Sequence, residues 1–168
     1  EGVAYRLRRV VAFLDPSHDP AGVSYQIQQA LIALGSGGLF GLGFGRGQQK
    51  FGFLPEPHND FIFAMIGEEW GFVGTVVLVG AYGLFALVGY RIARQAPDLF
   101  GFLLAIGMTN LIVVQAFLHI AVNTALVPTT GVTLPFISYG RSSLIVCMAA
   151  VGTLMSVARA GADAGGRA

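Results

Sequence analysis

Pro55-Glu56-Pro57-His58-Asn59-Asp60-Phe61-Ile62-Phe63-Ala64-Met65-Ile66-Gly67-Glu68-Glu69-Trp70-Gly71-Phe72 is the stretch that decides how the chain is read. On its N-terminal side lies glycine-rich, turn-rich sequence of the kind that faces water. On its C-terminal side come three long apolar segments. The stretch therefore stands where an aqueous loop meets a bilayer. It places three of the nine acidic side chains between Asp60 and Glu69. Acids beside a membrane span cost free energy unless they are solvated, paired or used.

Of the 168 residues, 54% are apolar and 11% charged, and the mean hydropathy is +0.68. Soluble domains carry about a quarter charged residues, so the composition points to a membrane protein, and the three long apolar segments make it an all-α polytopic one. The net charge of +1 has no basic stripe beyond Arg6, Arg8 and Arg9, and gives no reason to expect nucleic acid as a partner. The single cysteine, Cys147, lies in an apolar segment and reads as a small buried hydrophobe. The chain opens on Glu1 with no signal segment ahead of it, so it is expected to be a fragment of a longer protein.

Taken in order, residues 1–60 read as an extracytoplasmic loop with short helices. Arg6, Arg8 and Arg9 precede the apolar Val10 to Leu14, and Asp15-Pro16 and Asp19-Pro20 then punctuate the backbone. This fits a segment lying on the membrane surface, or a basic clamp for anionic groups. Gly22 to Leu34 reads as a short helix, too short and polar to span. Gly35 to Gly47 is dense in glycine and matches neither G-x-G-x-x-G nor G-x-x-x-x-G-K-[ST]. It reads as a loop dipping into the interface.

The first span is expected over 61–94, with Phe72 to Tyr90 free of charge. A turn at 95–98 contains Pro97-Asp98. The second span runs over 99–127, a turn covers 128–141, and the third span occupies 142–159 before a tail at 160–168. Arg91, Arg94, Arg159 and Arg167 put that tail and the 95–98 turn on the cytoplasmic side, with residues 1–60 outside.

Asp60 precedes an apolar helical run. It reads either as a helix cap, shared with Asn59, or as a carboxylate poised at the membrane surface to act as a general base. A helix N-terminus favours its ionised form. Glu68 falls about 12 Å further on and about 80° round a helix from Asp60, so the two make no acid–base pair and Glu68 and Glu69 suit an interfacial or packing role. Gln115, His119 and Asn123 recur at i, i+4 and i+8 and form one polar stripe, read first as interhelical hydrogen bonding and second as the lining of a watery cavity. No zinc-ligand spacing and no Ser-His-Asp arrangement stands out, and no metal site is expected.

Several of these stretches resemble the SEDS family (shape, elongation, division and sporulation: FtsW, RodA, SpoVE). They are Pro55-Glu56-x-His58-x-Asp60-Phe61-Ile62-Phe63-Ala64 with Gly67-Glu68-Glu69, Phe13-Leu14-Asp15-Pro16, Gln29 to Gly38, and Leu134-Pro135-Phe136-Ile137-Ser138-Tyr139-Gly140. They stand in order from about Arg9 to Arg159. Gly47-Gln48-Gln49-Lys50 and Gly67-Glu68-Glu69 are closer to the division branch. The chain departs from the family at Arg141, where glycine is usual, at His119 for asparagine, at Ala121 for glycine and at Asn59 for threonine.

The resemblance implies a ten-helix membrane bundle, of which this chain is the large extracytoplasmic loop and the last three helices. It implies a multi-pass protein of the bacterial plasma (inner) membrane. The implied activity is polymerisation of lipid II into glycan strands in cell division or elongation, an inverting transfer with undecaprenyl pyrophosphate as leaving group. The family's essential acid falls on Asp60, whose implied role is general base. Arg6, Arg8, Arg9 and Lys50 are then candidates to meet the pyrophosphate, as is a divalent cation. His58, Glu68, Glu69, Gln115, His119 and Ser138 complete the candidate substrate contacts. Expected partners are a class B penicillin-binding protein and other divisome or elongasome membrane proteins. Two alternatives stay open, a lipid II flippase and an inactive scaffold for a transpeptidase.

Overall fold

A computed structural model describes residues 23–46 and 61–165. Among these, all regular structure is helical: α1 (Val23–Ser36), α2 (Ile62–Arg94), α3 (Leu99–Asn123) and α4 (Arg141–Gly165). The last three are long and apolar enough to cross a membrane, which makes this an integral membrane protein. Leu84, Leu87, Leu103, Phe117 and Ile145 are exposed along them, as expected where the surrounding solvent is lipid or further helices.

The first expected span is not one rod. The α2 helix has 33 residues, about 50 Å at 1.5 Å per residue, against a hydrocarbon layer of about 30 Å. Gly71 breaks it with φ 68° and ψ −163°. The part from Phe72 to Arg94 is then about 34 Å long, enough to cross by itself. The part from Ile62 to Trp70 is a separate short helix.

The α3 helix begins at Asp98, whose side chain accepts the Gly101 N–H at 3.1 Å. It ends at Asn123, four residues before the expected limit of Val127, because the chain closes a left-handed cap. Ala125 takes φ 56°, its N–H reaches the Val122 carbonyl at 3.1 Å, and the Leu126 N–H reaches Ala121 at 2.8 Å. That double closure ends a helix whatever the hydropathy beyond it. At the other end of the chain, α4 continues past the expected limit of 159 to Gly165. Alanines favour helix there, and Gly161 packs against the Gln95 carbonyl.

Small residues set the packing. Ala30, Ala33 and Ala64 join α1 to the start of α2 around Phe61. Tyr82, Ile112, Ala116, Leu134 and Ala150 bring α2, α3 and α4 together. Ala93, Ala105, Leu154 and Val157 close the far end. Gly89 sits directly on Thr109, so α2 and α3 approach closely, as small residues allow between membrane helices.

Residues 128–140 are more than a surface turn. The phenol of Tyr82, about 16 Å along α2 from Gly71, donates to the Pro135 carbonyl at 2.6 Å. Leu134 and Pro135 are buried. The segment therefore dips into the helix layer, where irregular backbone is tolerated only if protein covers it.

Candidate functional site

The site grows from the Gly71 break. Interrupting an α-helix frees carbonyls on one side and N–H groups on the other, and each needs a partner in an apolar setting. The glycine-rich loop after α1 supplies all four. The N–H groups of Leu42 and Gly43 donate to the Glu68 and Glu69 carbonyls at 3.0 and 3.1 Å. The Gly38 and Leu39 carbonyls accept from Phe72 and Val73 at 2.9 and 3.2 Å. The loop is knitted into the gap. This requires backbone against backbone: a Cβ on Gly41 would lie 2.7 Å from the Gly71 nitrogen, and one on Gly37 would collide with the Gly67 carbonyl.

The short helix from Ile62 is held at its other end too. Phe61 is its N-cap and offers no side-chain cap, and Phe61 is buried. One of its first-turn N–H groups is capped from α3. The Asn123 Oδ1 accepts the Ala64 N–H at 3.1 Å, while its Nδ2 donates to the His119 carbonyl at 2.9 Å. Asn123 is fully buried. Asn59 and Asp60, the expected caps of this helix, lie outside the described residues; Asn123 serves its third N–H.

One turn below Asn123, the buried His119 ring lies 2.7 Å from the Val132 carbonyl through Nδ1; a carbonyl only accepts, so Nδ1 carries the proton. One turn further, Gln115 Nε2 donates to the Thr133 carbonyl at 3.0 Å and reaches the Ser143 hydroxyl of α4 at 3.3 Å. Ser138 Oγ accepts the Leu134 N–H at 2.8 Å and closes the turn from within. In that turn Phe136 has φ 66°, a strained value for a bulky residue. Its ring meets the edge of Phe85 at 6.2 Å.

Of the candidate residues, Gln115, His119 and Ser138 converge on the 132–138 segment, where they hold backbone in place. Glu68 is 2% exposed and Glu69 half-buried, and both border the knitted loop. Arg6, Arg8, Arg9, Lys50, His58 and Asp60 lie outside the described residues. Sequence reasoning passed over Gly71, Tyr82 and the capping role of Asn123; a lone tyrosine inside an apolar run is the signal that points to Tyr82. No group of three or more His, Cys, Asp or Glu is placed to hold a metal among the described residues.

An apolar groove runs down α2 from this end. One part, of about 330 Å³, is lined by Ile66, Trp70, Gly74, Val77, Leu78, Ala81 and Ile137. A second, of about 240 Å³, shares Leu78, Ala81 and Ile137 and ends at Tyr82, Phe85 and Phe136. The arrangement is a polar end on a short, doubly anchored helix, beside an open apolar groove.

Residues 3–162 match the family model described as cell cycle protein, FtsW/RodA/SpoVE. The chain is 48% identical over 155 residues to stage V sporulation protein E of Bacillus subtilis, covering 92% of this chain and 42% of that protein. It is 49% identical over 154 residues to a probable peptidoglycan glycosyltransferase FtsW of Geobacter sp. strain M18, again covering 92% and 42%. The chain thus spans about two fifths of the length of these curated relatives. Among solved structures, it superposes with a TM-score of 0.71 at 32% identity on a chain of a peptidoglycan synthase complex, covering 94% of this chain and 42% of that one. A variant of the rod shape determining protein RodA of Thermus thermophilus gives a TM-score of 0.60 at 38% identity, covering 77% and 39%.

Proposed function

The chain belongs to the FtsW/RodA/SpoVE family of cell cycle proteins, and from that premise we propose that the protein containing it is a peptidoglycan glycosyltransferase that polymerises lipid II. The observation that carries the proposal is 49% identity over 154 residues to a relative named for that activity, in a chain that keeps the Pro55 to Glu69 motif.

The proposed chemistry uses one carboxylate. Asp60 takes the proton from the acceptor sugar's 4-hydroxyl as that oxygen attacks the anomeric carbon of the donor. Undecaprenyl pyrophosphate leaves from the opposite face, inverting the configuration. Asp60 precedes the N-terminus of α2 in sequence, and a helix N-terminus keeps a neighbouring carboxylate ionised and able to act as base. The charge building on the pyrophosphate calls for cations, and Arg6, Arg8, Arg9 and Lys50 are assigned to it. A divalent cation would serve the same charge. The apolar groove from Trp70 to Phe136 suits a polyprenyl tail.

The remaining assignments rest on the same reading. The protein sits in the plasma membrane with residues 1–60 outside and the C-terminus in the cytoplasm. It works with a penicillin-binding protein of class B, as the relative found in a peptidoglycan synthase complex invites. The polymerase is preferred to a flippase because the polar side chains of α3 are engaged in holding backbone: Gln115 on Thr133, His119 on Val132, Asn123 on Ala64.

The test is glycan-strand formation from purified lipid II by the full-length protein with its transpeptidase partner, comparing wild type with Asp60→Asn. Wild type forms strands and the variant, inserted and folded, does not. Equal strand formation by both would remove Asp60 from the chemistry.

A further inference from the structure

The proposed glycosyl transfer assigns the reacting carboxylate but leaves open what holds its end of α2 still. The α2 helix opens on Phe61, which has no side-chain cap, so its first-turn N–H groups depend on outside partners. Ala64 N–H finds one 59 residues away in sequence, at Asn123 Oδ1, 3.1 Å distant. The carboxamide cannot turn away, because Nδ2 is committed to the His119 carbonyl one turn back on its own helix, at 2.9 Å. His119 is in turn fixed to Val132. A continuous line of bonds therefore runs from the 132–138 segment through α3 to the first turn of α2. At the far end of the same short helix, Glu68 and Glu69 are tied to the glycine loop. A helix of about two and a half turns, separated from the membrane-crossing part by Gly71, is clamped at both ends.

We propose that Asn123 is a positioning residue for the glycosyl transfer: its carboxamide fixes the N-terminus of α2, and so the placement of the chain that enters this helix from Asp60. The inference rests on the polymerase reading. Among the described residues Asn123 bonds the Ala64 N–H and the His119 carbonyl, and it acts through the Ala64 N–H. Two features separate it from an ordinary buried amide. It bonds a helix N-terminus on another helix, where the protonated carboxyl group of an aspartic acid could take its place. It also anchors the short segment that Gly71 uncouples from the rest of α2, so its loss frees that segment without unpacking α2 from α3.

The experiment uses the full-length protein with its transpeptidase partner and purified lipid II, and compares wild type, Asp60→Asn, Asn123→Ala and Asn123→Asp. It reads turnover against lipid II concentration, and hydrogen exchange of peptides covering residues 61–70. With Asn123→Ala, amides of the first α2 turn exchange faster while those of 72–94 keep their protection. Turnover falls by roughly 100-fold, as for a misplacement on the order of 1 Å, with KM within about threefold of wild type. Asn123→Asp, protonated in this buried site, keeps both bonds, its carbonyl oxygen accepting the Ala64 N–H and its O–H donating to the His119 carbonyl, and restores both protection and most of the turnover.

Wild-type turnover and wild-type exchange in Asn123→Ala, with Asp60→Asn inactive, would overturn the inference and leave the function standing. If Asn123→Ala does not fold, Asn123→Asp decides: protection with activity supports the inference, and protection without activity overturns it. Full activity in Asp60→Asn would instead sink the assignment of the base, and the exchange data would still show whether Asn123 holds this helix end.

Discussion

Gly41 and Gly71 lie backbone against backbone, so that a side chain on either would enter the other's main chain. They come from two regions that look unrelated in sequence, a glycine-rich loop and an apolar span. Their contact makes possible the four bonds that carry the loop across the break in α2. The helix interruption and the loop are therefore one construction. Each supplies what the other lacks: free carbonyls and N–H groups on one side, a glycine-rich turn with its own free backbone groups on the other.

Gly71→Ala is expected to be severe. Its φ of 68° with ψ of −163° is open almost only to glycine, and the added methyl meets the Gly41 nitrogen and the Leu39 carbonyl. The cost is on the order of 3 kcal/mol. Thermal unfolding in detergent checks it. Gly35→Ala, in α1 with nothing within 4 Å of the new methyl, is the matched control and leaves the midpoint unchanged or slightly raised, since alanine favours helix.

Ala125→Gly is expected to stabilise. Ala125 holds the left-handed cap of α3 at φ 56°, a position glycine fills without the penalty of roughly 1–2 kcal/mol that an L side chain meets. Glycine gives back part of this as chain entropy, so the net gain is about 0.5–1 kcal/mol. A rise in the unfolding midpoint is the readout; a fall would mean that the alanine methyl contributes packing that outweighs the strain.

The long features of this fold were legible because they depend on composition. The uncharged run from Phe72 to Tyr90 reads as a span without further information. The i, i+4, i+8 spacing of Gln115, His119 and Asn123 placed them on one face, and hydrogen bonding between elements was the preferred reading. What stayed hidden depends on contacts between distant residues. Gly71 resembles the other glycines of α2, since membrane helices tolerate glycine widely. Only the loop against it shows that it breaks the helix. Asn123 was visible as a polar residue, but its partner is a backbone N–H 59 residues away, which carries no side-chain signature. The end of α3 was overestimated because Leu126 and Val127 are apolar, whereas the cap at Ala125 is a matter of backbone angle.

Tyr82→Phe tests whether the dipping segment is held from α2. The phenol is buried and donates to the Pro135 carbonyl at 2.6 Å. Phenylalanine keeps the ring in its cluster with Ile112, Ala116 and Leu134 but removes that donor. The expected loss is about 1–3 kcal/mol of stability. It should come with faster hydrogen exchange at residues 134–138, where Phe136 is strained and needs its surroundings to hold it. Unchanged exchange in that segment would show that Gln115 and His119 suffice to keep it in place.

Gly89 and Thr109 provide a test of the α2–α3 seam by a double-mutant cycle. A methyl on Gly89 would lie 2.6 Å from Thr109 Cγ2 and closer still to its hydroxyl. Thr109 is fully buried and its hydroxyl is occupied within α3 by the Ala105 carbonyl at 2.7 Å. Gly89→Ala alone therefore forces the helices apart, at a cost of about 1–3 kcal/mol. Thr109→Ala alone leaves a small void and costs less, because the lost bond lies within one helix. Together, the new methyl occupies the space that the threonine gave up. The double variant should be more stable than the sum of the two single losses, by about 1–2 kcal/mol. Additive losses in detergent unfolding would show that the two helices do not meet at this pair.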